Sequence, residues 1–213
     1  GAAVSAPAAA ATLAVAVPAV TGEKGHGMTR AFAPLRTALR HRWMDDDAAH
    51  RLLAAGVGER LRRRVAASEQ RHGGQVRFCV ETALPLSYLW RHWRQRLPLA
   101  QVVRERAVML FGKLRVWDTA HNNGVLIYLL LAERSIEIVA DRGLNDHVLP
   151  ADWAAVIARM APPLREGRFE DGLTQALEEV SALLVARFPV DGGEGSPRPG
   201  SGGNELPDAP VSL

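Results

Sequence analysis

Cysteine is almost absent from this chain of 213 residues, since Cys79 is the only one. A single cysteine excludes an intrachain disulfide, and its scarcity fits a reducing compartment. Cys79 stands in an alternating apolar segment. We therefore interpret it as a small buried hydrophobic residue rather than a nucleophile.

Several sequence signatures of catalysis are also missing. No serine or cysteine lies in a nucleophile elbow, and no glycine-rich phosphate loop is present. The histidines at positions 50, 72 and 92 do not have the spacing of metal ligands. These absences leave polar loops between strands as the places where chemistry would be found.

A long apolar run that could cross a membrane is lacking, apart from an ambiguous stretch of alanine and valine at residues 3–20. This stretch carries no charge, contains two prolines and has no basic residue before it. We predict a cytoplasmic protein in which residues 1–27 are a disordered lead or a mis-assigned start, with Met28 as the functional start. The alternative is an exported or membrane-associated protein in which residues 3–20 act as a signal or anchor.

Charge is present in abundance but unevenly placed. Residues 28–78 hold 11 Lys and Arg against 5 Asp and Glu, whereas residues 116–213 hold 7 against 15. The basic amino-terminal half could meet a membrane protein or an anionic surface, or it could consist of solvated helix faces that balance the acidic half. No nucleic-acid-binding motif accompanies it, so we expect no specific nucleic-acid binding.

The apolar patterns predict a sheet covered by helices. Residues 28–56 are predicted to form amino-terminal helices, and residues 75–81 alternate as a strand. The near-continuous apolar run at 124–132 predicts a central strand, paired antiparallel with a strand at 135–140. The expected fold is a layered α/β domain with a small sheet of three or four strands.

Two further segments are assigned from composition and periodicity. The helix predicted from Leu86 contains Trp90 and Trp93, which we interpret as packing groups. Residues 189–213 are rich in glycine, proline, serine and acidic residues, and are predicted to be a flexible tail.

The predicted hairpin gathers polar residues at its open end. Asp118, His121, Asn122 and Asn123 precede the first strand and Asp141 ends the second, so the two groups should lie close together. Carboxylate and amide oxygens at one sheet edge are ligands for a hard cation, and Asp118, His121 and Asp141 are also candidates for acid and base catalysis. Alternatively, the Asn-Asn-Gly sequence forms only a turn.

Three segments resemble the motifs of the TPM domain family, in the order in which the family has them. HNNGVLIYLLLAERSIEIVADRGL is similar to its Asp-Asn-Gly loop, apolar strand, Asp/Glu-Arg turn and returning strand. SEQRHGGQVRFCV resembles its entry into the first strand, and PPLREGRFEDGL resembles its final helix-to-helix connection. The resemblance extends over residues 57–188 and is to the soluble bacterial members of the family.

The resemblance implies a three-layer α/β/α sandwich. It also implies an acidic cleft that binds calcium in some members and a phosphatase activity ascribed to some plant members. The chain departs from the motif at Asn122, which stands where the family has aspartate, and at Arg142 and Asn145, which replace tyrosine and glutamate. Because ligand charge is lost, we expect a weak cation site formed by Asp118, Asn122, Asn123 and Asp141.

Two functions follow as hypotheses. The first is a binding or accessory module whose weak site takes calcium or magnesium. The alternative is a metal-dependent hydrolase of phosphate esters, resembling acid phosphatases. The loss of two carboxylates favours the binding module, and the sequence predicts neither the partner nor the oligomeric state.

Overall fold

The computed structural model describes residues 37, 39–41, 43–45, 47–144, 148–187 and 206–213. The predicted amino-terminal lead, residues 1–27, lies outside these residues. Within 28–56, the described residues are mostly helical, as predicted. The helices are α1 (Ala48–Leu52), which continues as a π-helical turn (Leu53–Val57), α2 (Gly58–Glu69), α3 (Leu86–Arg94), α4 (Leu99–Lys113), α5 (Pro150–Arg165) and α6 (Phe169–Arg187).

The sheet has four strands in the order β3-β2-β1-β4. The strand β2 pairs antiparallel with β3 and parallel with β1, and β4 pairs parallel with β1. The strands are β1 (Gln75–Glu81), β2 (Gly124–Leu130), β3 (Ser135–Ala140) and β4 (Val211–Ser212). The predicted hairpin is confirmed, although β2 ends two residues earlier than expected.

Helices cover both faces of the sheet, so the predicted three-layer α/β/α sandwich is confirmed. On the apolar face, α2, α5 and α6 pack against alternate strand residues such as Phe78, Ile127 and Leu129. On the opposite face, α3 and α4 cover Cys79, which is buried as expected, and Tyr128. We call this second face the ionic face because it also buries Glu81 and Glu137. The two clusters follow the period-two alternation of side chains along each strand.

The short strand β4 corrects the prediction that residues 189–213 form a flexible tail. The amide of Leu213 donates to the carbonyl of Val80 (2.9 Å), and the amide of Thr82 donates to the carbonyl of Leu213 (3.0 Å). Leu206 is buried against the ionic-face cluster. Residues 206–213 therefore complete the sheet, while residues 188–205 lie outside the described part of the chain.

The closed end of the hairpin is held by the Glu133-Arg134 turn. The buried Glu133 carboxylate contacts His41 Nε2 (2.9 Å) and Arg40 Nη1 (2.9 Å). The amide of Leu84 donates to His41 Nδ1 (3.0 Å), so Nε2 carries the proton that is donated to Glu133. Arg134 has a left-handed backbone (φ 48°) and donates to the carbonyl of Arg165 at the end of α5. This turn thus connects the hairpin to both the amino-terminal residues and α5.

Candidate functional site

The open end of the hairpin lies at the other end of the strands from the Glu133-Arg134 turn, and it contains the predicted site residues. The backbone of this region is tightly packed around two glycines. A Cβ atom on Gly124 would lie 1.9 Å from the carbonyl oxygen of Val116, so only glycine fits beside the loop that follows α4. A Cβ atom on Gly143 would lie 2.6 Å from the carbonyl oxygens of His121 and Asn122. Gly143 therefore allows the turn after β3 to contact the loop before β2, whereas Gly124 allows the start of β2 to lie against Val116.

Main-chain hydrogen bonds join these two segments. The amide of Asp141 donates to the carbonyl of Gly124 (2.9 Å), and the amide of Gly143 donates to the carbonyl of Asn122 (2.9 Å). Asn122 adopts the left-handed conformation (φ 52°), which asparagine tolerates better than most residues. The predicted proximity of the Asn122 loop to Asp141 is therefore present in the structure.

Asp141 has the chemically most distinctive environment of the predicted residues. The side chain is buried; its Oδ1 accepts the amide of Arg142 (2.7 Å), and its Oδ2 is buried without a hydrogen-bond partner. Burial raises the pKa of Asp141, and this effect is opposed by the amide and the guanidinium of Arg142. An unpartnered buried carboxylate oxygen is costly, so the position is suited to a proton or a cation.

Asn123 is also buried with an unpartnered oxygen, but it belongs to the other side of the sheet. Its Nδ2 donates to the carbonyl of Gly73 (2.5 Å) in the connection between α2 and β1, while its Oδ1 has no partner. Side chains of successive residues face opposite sides of a sheet, so Asn123, just before β2, faces the side opposite to that of position 124. Asp141 lies across the hairpin from Gly124 and is hydrogen-bonded to it, so its side chain faces the same side as position 124. The two unpartnered oxygens therefore lie on different faces.

The remaining predicted residues are exposed or already paired. The carboxylate of Asp118 is about half-exposed and forms an ion pair with Arg115 (2.5 Å). His121 is exposed. The Oδ1 of Asn122 accepts a hydrogen bond from Arg142 Nη2 (3.1 Å), so a guanidinium lies directly against this predicted ligand. In the parts of the chain that the structure describes, no three or more His, Cys, Asp or Glu residues are grouped to hold a metal. Cation binding by Asp118, Asn122, Asn123 and Asp141 stays a prediction.

Sequence reasoning missed a second polar cluster, which lies under α4 on the ionic face. Glu81 is buried; its carboxylate forms two hydrogen bonds with Arg106 and accepts one from the Tyr128 hydroxyl (2.6 Å). Arg106 also lies over the ring of Tyr88, with its guanidinium carbon 5.3 Å from the ring centroid. These partners are far apart in sequence, so only the alternation of Glu81 with apolar neighbours could have signalled that it is buried.

A second error concerns the tryptophans of α3. Trp90 and Trp93 were predicted to be packing groups, but 53% and 66% of their surfaces are exposed. In this helix, Leu89 is buried in the core and Tyr88 packs against the same cluster.

No helix within the described residues has the length and apolarity required to cross a bilayer. The stretch at 3–20, on which the prediction of a signal or anchor depends, is outside these residues.

Comparison with known proteins agrees with the motifs. The NMR structure of BA42 protein from the psychrophilic bacterium Bizionia argentinensis superposes with a TM-score of 0.59 over 75% of this chain and 94% of its own, at 22% identity. That likeness concerns the fold alone. No curated protein matches the sequence. The TPM domain family model matches residues 46–183, which is well over half of the chain and includes all of α1 to β3. The chain belongs to the TPM domain family.

Proposed function

We propose that this TPM domain is a binding module with a weak divalent-cation site at the open end of its hairpin. The observation that carries the proposal is the buried Oδ2 of Asp141, which has no hydrogen-bond partner. A hard cation such as calcium or magnesium would supply the missing partner for this oxygen. The Asn122 loop is hydrogen-bonded to the turn after β3, and its carbonyl and amide oxygens could serve as further ligands.

The charge of the site supports weak binding. Asp141 is the single buried carboxylate of the predicted set, and Asp118 is exposed and paired with Arg115. The guanidinium of Arg142 donates to Asn122, so a cation would have to compete with a positive charge. Calcium sites with few charged ligands bind with dissociation constants of about 10⁻⁴ to 10⁻³ M, and we expect this range.

The same features favour a binding module over the hydrolase. A hydrolase that transfers a phosphoryl group from an ester needs a firmly bound metal or an activated nucleophile. His121, the predicted acid or base, is exposed, and Asp118 is held by Arg115 outside the buried part of the loop. We therefore keep the hydrolase only as an outcome of the experiment.

The test is isothermal titration calorimetry of the full chain with calcium, magnesium and manganese. The wild type should bind at least one of them in the range given above. Asp141→Asn should abolish binding, because the amide removes the charge and keeps the shape. Arg142→Gln should strengthen binding, because it removes the competing guanidinium. Asp171→Asn is the matched control: this exposed carboxylate lies in the first turn of α6, where it pairs with Arg168.

Two results would contradict the proposal. One is the absence of binding of all three cations at millimolar concentration. The other is equal binding by the wild type and Asp141→Asn. A phosphate-ester hydrolysis assay on the same samples separates the alternatives, since metal-dependent hydrolysis that Asp141→Asn eliminates would establish the hydrolase instead.

A further inference from the structure

Helix α3 exposes a row of large apolar side chains. Leu86, Trp90 and Trp93 are spaced by four and three residues, so they lie on one side of the helix. Their exposed fractions are 74%, 53% and 66%, although each would normally be buried in a soluble domain. On the adjoining side of the helix, Leu89 is buried in the ionic-face cluster and Tyr88 packs against that cluster. The helix is therefore anchored by one side and presents the other to the outside.

Positive charge flanks this apolar row. Arg94 lies beside Trp90, with its guanidinium carbon 5.2 Å from the ring centroid, and Arg96 is exposed immediately after the helix. Neither forms an ion pair with a carboxylate of the described residues, whereas Arg91 is paired with Glu105 (2.6 Å). The helix itself, LSYLWRHWR, contains no acidic residue. We call the surface formed by Leu86, Trp90, Trp93, Arg94 and Arg96 the tryptophan-arginine face.

We propose that the tryptophan-arginine face docks on the surface of an anionic lipid bilayer. Tryptophan rings are amphipathic and favour the boundary between headgroups and acyl chains. Arginines at the same level are attracted to anionic headgroups. A helix of nine residues is far shorter than the roughly 20 residues needed to span the hydrocarbon core, so it would lie in the plane of the interface.

The shape of the face favours lipid over a folded protein partner. Its apolar part is one row of three side chains on a single helix. Specific protein interfaces usually contribute about 20 to 30 residues a side and require a complementary surface. A bilayer requires no such complementarity, because lipids rearrange around an inserted side chain, and the charge of the face matches that of anionic headgroups.

The test is co-sedimentation of the full chain with vesicles. Wild-type protein should bind vesicles of phosphatidylcholine mixed with phosphatidylglycerol and should bind pure phosphatidylcholine much less. The variant W90A/W93A should lose at least about tenfold in the partition coefficient, because two large apolar side chains no longer enter the interface. The variant R94Q/R96Q should lose about fivefold for each arginine removed, and added salt should reduce wild-type binding in the same direction.

Trp117→Ala is the matched control. Trp117 is also exposed and also lies near an arginine, with the Arg115 guanidinium carbon 5.9 Å from its ring centroid. Trp117 lies just before the start of β2, whereas α3 follows the end of β1. Because these two strands are parallel, the chain segments that carry the two tryptophan sites adjoin opposite ends of the strands. This control should bind vesicles as the wild type does.

Three results would overturn the proposal. The wild type could fail to prefer anionic vesicles, W90A/W93A could bind them unchanged, or Trp117→Ala could lose as much as W90A/W93A. Sedimentation velocity without vesicles adds a further criterion. If the wild type forms a dimer that W90A/W93A abolishes, the face joins two copies of the chain and the lipid assignment is wrong. All of these side chains are exposed, so circular dichroism should show every variant folded.

Discussion

The two faces of the sheet are built from the same strands but are stabilised in different ways. On the apolar face, strand residues such as Phe78, Ile127 and Leu129 meet apolar residues of α2, α5 and α6. On the ionic face, the same strands bury Glu81, Tyr128 and Glu137 under α4. The hydrophobic effect is non-directional, whereas a buried ion pair is favourable only in a restricted geometry. We therefore expect the ionic face to restrict the position of α4 more narrowly than apolar packing alone would.

The two carboxylates of the ionic face differ in how well they are paired. Glu81 has two close contacts with Arg106 and one with the Tyr128 hydroxyl. Glu137 is equally buried, but its contact with Arg104 is longer, at 3.5 Å, and Arg104 also donates to the carbonyl of Ile138. Burial raises the pKa of Glu137 to about 8 despite the opposing effect of Arg104. The burial of the Glu81 carboxylate is thus offset by a network of three hydrogen bonds, whereas the burial of Glu137 is only partly offset by the more distant Arg104.

The largest expected effect comes from removing one partner of the complete network. Arg106→Ala leaves the Glu81 carboxylate buried without its cation, and breaking a buried pair in this way costs about 3 to 5 kcal/mol. We expect this loss in the free energy of unfolding, measured with urea near neutral pH. The control is Glu81→Gln combined with Arg106→Met, which removes both charges and should recover much of the loss. If Arg106→Ala costs less than about 1 kcal/mol, the two faces do not differ as described.

A somewhat smaller effect is expected on the apolar face. Leu129→Ala removes a fully buried side chain from the middle of β2, and such truncations cost about 2 to 5 kcal/mol. We expect about 3 kcal/mol in the same unfolding experiment. Val185→Ala on the exposed side of α6 is the control and should change the free energy of unfolding by less than about 0.5 kcal/mol. Unlike the ionic pair, Leu129 has no second substitution that is expected to recover the loss by cancelling a charge.

The last expected effect is a dependence of the free energy of unfolding on pH, which is spread over several pH units and should be strongest for the ionic face. The folded protein keeps Glu137 protonated up to a pKa of about 8, whereas the unfolded chain releases this proton near 4.5. The unfolded state therefore binds fewer protons between these values, so the contribution of Glu137 to stability is fully present below pH 4.5 and is lost as the pH rises to about 8.

Glu137→Gln isolates this contribution, because the amide does not titrate. The variant should gain stability relative to the wild type as the pH rises through this window, with no further change above it. Urea unfolding at several pH values measures the difference. Glu69→Gln is the comparison. Burial raises the pKa of Glu69 to about 7, so the stability that its protonated form contributes should be lost about one pH unit lower than that of Glu137. A difference between Glu137→Gln and wild type that does not vary with pH would show that Glu137 is ionised in the folded protein.

Sequence patterns predicted the middle of the fold better than its edges. The apolar run from Gly124 and the alternating segment from Ser135 gave the hairpin, because their periodicities directly reflect burial. The pairing of Val211 with Cys79 was not predictable, since β4 has two paired residues in a segment whose composition is typical of a linker. The exposed sides of Trp90 and Trp93 were missed for a related reason. Periodicity shows that a helix has two sides but not which of them a distant element covers.

Of the candidate site, the sequence predicted which segments lie close together. The proximity of the Asn122 loop to Asp141 followed from hairpin geometry and is present in the structure. The direction of individual side chains was not available from that geometry. Arg115 pairs with Asp118 through a local contact three residues apart, and Asn123 points to Gly73, on the other side of the sheet from Asp141. The network of Glu81, Arg106 and Tyr128 depends on partners that only the folded chain brings together.

The pairing of β4 with β1 also affects the order in which the chain can fold. The domain from the end of β1 to α6 lies between Cys79 and Val211 in sequence, so their contact closes a long loop and has high contact order. During synthesis, β1 can pair with β2 well before residues 206–213 have left the ribosome. Until then, the outer edge of β1 has unpaired main-chain groups, including the carbonyl of Val80 and the amide of Thr82. A nascent or truncated chain would therefore be most exposed to strand-mediated aggregation at this edge, although the rest of its core could already be formed.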